Sequence, residues 1–78
     1  MKPFFVLVKC ALGRSYEVAA AIADTEVASE IYSIAGDFDL LVKVYVDEGT
    51  DIGHFVNQRI HCVPGIADTR TIPTFKAF

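Results

Sequence analysis

Two stretches of this chain are apolar at nearly every position. Phe4-Phe5-Val6-Leu7-Val8 has no polar residue, and Leu40 to Val46 is interrupted only by Lys43. Neither approaches the roughly 20 apolar residues that a helix needs to span a bilayer. Both are short and rich in β-branched residues, so they read as strands. A strand with one wet face alternates apolar with polar, whereas an unbroken run is covered on both faces. The chain must therefore place these two strands centrally and find cover for both faces of the sheet they form.

The intervening segments supply one cover. Leu12-Gly13-Arg14-Ser15 breaks the first run, with Ser15 or Gly13 as the expected cap of a helix from Tyr16 to Asp24. That helix carries Val18, Ala21 and Ile22 at helical spacing and Glu17 in its first turn. A second strand is expected over Val27–Ile34, with Val27, Ile31 and Ile34 as its buried positions. Ala35-Gly36-Asp37-Phe38-Asp39 then turns the chain into the strand Leu40–Val46. Gly36 takes a positive φ at no steric cost, and Asp side chains bond back onto turn backbone. After Asp47-Glu48-Gly49-Thr50, either Thr50 or Asp51 caps a helix over Ile52–Cys62. Its stripe of Ile52, Phe55, Val56 and Ile60 marks one buried side. Val63-Pro64-Gly65 ends it, and a last strand runs from Ile66 to about Phe75.

The order βαββαβ, as two right-handed split βαβ units, predicts an α+β ferredoxin-like sandwich, one domain over residues 1–78. Its antiparallel sheet has the order 4-1-3-2. That order places the two unbroken apolar strands centrally. It also puts Pro73, which cannot donate to a ladder, on an edge strand. Both helices pack on one sheet face. The opposite face still receives either Phe4, Val6 and Val8 or Phe5 and Leu7 from the first strand, and an equivalent set from the third. With 53% apolar residues in 78, too little chain remains for a further covering layer. A domain of this size buries only about 60% of its unfolded surface. We therefore expect a homodimer that joins open sheet faces, each hiding about 800 Å².

The net charge of −3 and the absence of a basic cluster argue against direct nucleic-acid binding. No signal peptide or membrane span is legible, so cytoplasmic residence without membrane contact is the expectation. Cys10 and Cys62 have no metal-ligand spacing and are expected as buried, reduced thiols. His54 and His61, seven apart on the second helix, share a face but stand about 10 Å apart, too far for one metal. No nucleophile set and no phosphate loop occurs, so neither an enzyme, a cofactor nor a metal is expected.

The turn carries the chemistry. Asp37 and Asp39 are turn-formers, and a carboxylate beside free backbone N–H groups also suits a zwitterion. Asp37 or Asp39 would hold an ammonium, and the open backbone at Gly36 would receive a carboxylate. Thr69 and Thr71 share a parity on the last strand, either as ordinary strand-formers on a wet edge face or as hydroxyl contributors to that site. Arg14 and Arg70 are solvated or meet a carboxylate. The starts of the third and fourth strands lie about 10 Å apart, two strand steps. A small amino acid touching both would need residues from neighbouring subunits.

The segment Gly36-Asp37-Phe38-Asp39-Leu40-Leu41-Val42-Lys43-Val44, with Phe4 to Lys9, Gly13, Glu17-Val18-Ala19, Glu26-Val27, Tyr32-Ser33-Ile34, Phe55-Val56, Ile60, Val63-Pro64-Gly65-Ile66 and Thr69-Arg70-Thr71, resembles the effector-binding RAM domain of the Lrp/AsnC feast/famine regulators. The family usually joins this domain to a helix-turn-helix. The chain opens at Met1 without one, which implies a stand-alone form. The resemblance implies dimers that assemble into octameric or decameric rings, with amino acids or related effectors bound between dimers. It carries Ala35, Gly36, Asp37 and Asp39, and then Thr69 and Thr71, into the ligand site. Ala35 falls where many members have a polar or aromatic residue. A regulatory amino-acid-binding domain that acts on transcription through full-length Lrp/AsnC partners is the reading that results. Two others share the chain order. A dimeric α/β-barrel monooxygenase-like enzyme requires a pocket between sheet and helices with His54 or His61 facing inward. An ACT-like domain pairs sheets edge to edge.

Overall fold

A computed structural model describes residues 1–78. Its elements are β1 (Lys2–Cys10), α1 (Ser15–Asp24), β2 (Glu30–Ser33), β3 (Leu40–Val46), α2 (Ile52–Arg59) and β4 (Ile66–Pro73). The sheet order is β2-β3-β1-β4, the expected 4-1-3-2 read from the other edge, and every pairing is antiparallel. The expected ferredoxin-like architecture is therefore the one observed.

The pleat resolves the parity that the apolar runs left open. Phe4, Val6, Val8 and Cys10 on β1 and Leu40, Val42, Val44 and Val46 on β3 all point under the helices and are buried. Val18 and Ile22 of α1, Val56 of α2, and Ile60 and Val63 beyond it complete the core. No polar or charged residue is buried with them. The outward set is Phe5 and Leu7 on β1, Leu41, Lys43 and Tyr45 on β3, Glu30 and Tyr32 on β2, and Asp68, Arg70 and Ile72 on β4. Phe5, Leu7 and Leu41 are half-exposed at the middle of this open face, and Tyr32, Tyr45 and Ile72 are exposed around them. The domain is 17 Å along its thinnest axis, enough for one helical and one sheet layer.

Several boundaries differ from expectation. Arg14, not Ser15 or Gly13, occupies the N-cap of α1, and no side chain caps that end. Ser15 is the first helical residue, and Arg14 Nε donates to Glu17 across the first turn instead. The second strand is four residues, not eight. Glu26 takes φ 60° as α1 ends, so Val27 and Ala28 reach the core before the chain aligns with β3. Ile31 of the edge strand β2, and Val27 and Ile34, which lie outside that strand, are half-buried and not buried.

Helix α2 starts as expected, with Asp51 Oδ1 accepting from His54 N at 3.1 Å. It stops at Arg59, three residues early. Ile60 N and His61 N both donate to Val56 O, a sharing typical of helix ends. The residue before a proline disfavours the α region, so the chain cannot wind on through Val63 into Pro64. His61 thus sits on the turn beyond the helix, and the expected shared helical face with His54 does not exist. Gly65 follows at φ 95°, and a Cβ there would fall 3.0 Å from Val18 Cγ2 and 3.1 Å from Arg14 Cζ. Only glycine fits where the start of α1 packs on the entry to β4. Strand β4 ends at Pro73 instead of near Phe75 and lies at the edge, as its proline requires.

Candidate functional site

One end of the sheet gathers the end of β1, the start of β3, the start of β4 and the turn between β2 and β3. Asp39 fastens that turn to β1. Its Oδ2 accepts from Cys10 N at 2.8 Å, its own N–H donates to Val8 O at 2.9 Å, and its carbonyl accepts from Ile34 N at 2.9 Å. Lys9 Nζ donates to Asp37 O at 3.2 Å. Half of the Asp39 carboxylate is therefore committed to holding the loop.

The loop so held is left open. The backbone N–H groups of Ala35, Gly36, Asp37 and Phe38 donate to nothing within the chain, and the Asp37 carboxylate has no partner. Ala35, Gly36 and Asp37 are exposed, and Gly36 takes φ 109°. Free amides beside a free carboxylate are complementary to a zwitterion: the amides donate to its carboxylate and Asp37 meets its ammonium. Of the two aspartates, Asp37 offers the unengaged charge and Asp39 the scaffold. Asp39→Ala leaves the part-buried Cys10 N–H without an acceptor and should destabilise the fold by about 1–3 kcal/mol in urea denaturation. Asp39→Asn, which keeps an acceptor oxygen, should cost less.

Across β1 from this loop, Thr69 and Thr71 pair with Val8 and Val6. They therefore lie on the helix side, half-buried, and not on the wet edge face that is one of their two expected placements. With Val8 as its partner on β1, Thr69 sits a strand away from the loop, so one subunit does not close a site from both halves. A shallow cleft of about 300 Å³ opens at the start of β4, lined by His61, Ile66, Ala67, Asp68 and Thr69. His61 Nε2 lies 2.7 Å from Thr69 Oγ1, and its Nδ1 lies 2.8 Å from Asn57 Oδ1. Sequence reasoning did not reach this cluster, although Asn57 and His61 stand four apart, the spacing of facing residues.

The remaining candidates find other partners. Arg14 pairs with Glu17, and Arg70 lies over the Phe38 ring at 5.7 Å. Cys10 is buried as expected, and burial, then the nearby Asp39 charge, push its thiol pKa up. Cys62 is exposed, contrary to expectation, because it falls on the turn past α2. A maleimide should accordingly label one thiol per chain in the native protein, at Cys62, and two after denaturation, as read by mass spectrometry. On the open face, Lys43 Nζ lies 3.4 Å from Glu30 Oε2 and Tyr32 OH donates to Glu30. Those bonds, Tyr32 first, lower the Glu30 pKa, while Lys43 is raised by its bonds to Tyr45 and Glu30. The space between sheet and helices is filled by the core, and His54 and His61 are both exposed. The internal pocket that a barrel monooxygenase requires has no counterpart here.

The family model described as the Lrp/AsnC ligand binding domain matches residues 4–78. The chain belongs to that family. Among its relatives, the HTH-type transcriptional regulator FL11 of Pyrococcus horikoshii is 32% identical over 72 residues, covering 92% of this chain and 47% of FL11. The chain thus spans about half the length of the curated relatives it matches. Several similar solved structures are close to the chain in size. TTHA0845 from Thermus thermophilus superposes with a TM-score of 0.89 at 29% identity, covering 100% of this chain and 98% of that one. The hypothetical protein PHS023 from Pyrococcus horikoshii superposes with a TM-score of 0.83 at 30% identity, covering 99% and 93%. This Lrp/AsnC domain is therefore homologous to a regulatory, effector-binding module of transcriptional regulators, and no helix of it is long and apolar enough to cross a membrane.

Proposed function

We propose that this Lrp/AsnC domain is an amino-acid sensor of the cytoplasm, regulatory and not catalytic, that works as an assembly. Two copies join through the open sheet face, and dimers build octameric or decameric rings. An amino acid or related effector binds between dimers, held by Ala35, Gly36, Asp37 and Asp39 of one subunit and by Thr69 and Thr71 of a neighbour. Occupancy is passed on through full-length Lrp/AsnC regulators that co-assemble with it, without direct contact to nucleic acid.

The observation that carries this reading is the loop Ala35–Phe38. Four consecutive amides and one carboxylate stand without protein partners, on a loop that Asp39 and Lys9 hold in place. A loop held so firmly yet left unsatisfied is prepared for a ligand with charges of both signs. Thermal-shift screening of the twenty amino acids tests it. At 100 times its dissociation constant, an effector adds about 2.7 kcal/mol, and Tm should rise by on the order of 10 °C. Asp37→Ala should abolish the rise while leaving the assembled mass unchanged. An assembled protein that answers none of the twenty would be a scaffold and not a sensor.

A further inference from the structure

The imidazole of His61 is engaged at both nitrogens, and in its neutral form the Asn57 carbonyl oxygen places the proton on Nδ1. Asn57 Oδ1, 2.8 Å from Nδ1, can only accept, so Nδ1 carries the hydrogen. A neutral imidazole has one N–H, which leaves Nε2 as an acceptor. Thr69 Oγ1, 2.7 Å from Nε2, must then be the donor. Its hydroxyl hydrogen is spent on His61, and only its lone pairs remain for anything entering the cleft at the start of β4.

We propose that His61 is a positioning residue that makes Thr69 an acceptor-only wall, so that the site favours an effector whose side chain ends in an N–H donor over one ending in a carboxylate. This rests on the reading of Thr69 as part of the effector site. The loop at Gly36 and Asp37 takes the backbone carboxylate and ammonium of the amino acid, which leaves its side chain to meet β4. There a side-chain amide completes a hydrogen bond to Oγ1, while a carboxylate sets lone pairs against lone pairs. Protonation of the ring reverses the polarity. Nε2–H then donates to Oγ1, and the Thr69 hydrogen is released to face a carboxylate. Asp68 is the only other ionisable residue lining the cleft, and one of its oxygens already accepts the Thr69 backbone N–H at 2.8 Å.

Two measurements on the full chain test this. Nitrogen-15 NMR of the imidazole, at a pH where its signals show a neutral ring, should show Nδ1 protonated and Nε2 bare. Calorimetry with the near-isosteric pair L-glutamine and L-glutamate should show the amide bound about tenfold more tightly at that pH. His61→Gln, whose amide can present either an oxygen or an NH₂ to Thr69, should shrink that ratio to about threefold or less with the assembly intact. Thr69→Ser should keep the wild-type ratio. Acidification until the NMR signal shows a charged ring should move the preference toward L-glutamate. An Nε2–H tautomer of the neutral ring, or an amide preference unmoved by His61→Gln, would overturn the proposal. If neither compound bound although the Nδ1–H tautomer was present, the selectivity would fail, while a thermal-shift response to another of the twenty amino acids would leave the effector reading standing.

Discussion

Leu7→Asp should convert the proposed dimer to monomers at concentrations where the wild-type chain is expected to associate. Leu7 lies at the centre of the open face, between Leu41 of β3 and Arg70 of β4. In a two-fold interface the same patch faces itself, so one substitution places two carboxylates in the contact. Leaving an unpaired charge buried costs about 3–5 kcal/mol. At about 1.4 kcal/mol per tenfold, the dimer dissociation constant should rise by at least about 100-fold. The substituted chain should keep its circular dichroism spectrum, because the Leu7 side chain points away from the helices and contributes nothing to the buried core. Sedimentation velocity across a concentration series reads the effect directly. Retained dimers would place the interface elsewhere, at a sheet edge or on the helices.

Phe4→Ala, on the buried side of the same strand, acts on a different property. Phe4 is fully buried and meets the ring of Phe55 edge to face, with centroids 6.0 Å apart and planes at 89°. Truncating a core phenylalanine costs about 3–5 kcal/mol, part of it the cavity left behind. A domain of 78 residues has about 4–12 kcal/mol in all, at roughly 0.05–0.15 per residue. Phe4→Ala should therefore remove about a quarter or more of the stability and unfold the chain outright if it lies at the low end of that range. Phe5→Ala, on the opposite side of β1, should weaken association far more than it lowers the stability of the single chain. Urea denaturation and sedimentation of the two variants separate the roles. If both behaved alike, the assignment of the two faces would be wrong.

The adjacent pair Phe4 and Phe5 also shows where sequence reasoning reaches its limit. Unbroken apolar runs reveal that both faces of β1 and β3 are covered. They cannot say which parity faces the helices, because an apolar residue satisfies either side. Pro73 is more informative, since a missing N–H has a consequence only in a ladder, and it locates the edge strand. The turn at Gly36 is legible because backbone freedom and short acidic side chains have a local meaning. The division of labour between Asp37 and Asp39 is not. It depends on Cys10 N, 29 residues distant, coming within 2.8 Å of one of them. Helix ends escape sequence reasoning where tertiary packing decides them: Gly65 packs against Val18 and Arg14 at the start of α1, and α2 stops at Arg59, short of the Val63-Pro64-Gly65 signal that the sequence marks. The expected common face of His54 and His61 fails for the same reason. A helix only three residues shorter turns His61 toward Thr69 and creates a cluster that spacing alone does not suggest.

In the proposed assembly, the uncovered sheet face meets a second copy, and the loop at Gly36 and the start of β4 come together from different subunits. Sedimentation equilibrium of the purified chain at micromolar concentration tests this most directly. The expected mass is an even multiple of the 8.6 kDa chain, two at the least and eight or ten when rings form. A folded, stable species of 8.6 kDa at that concentration would contradict it.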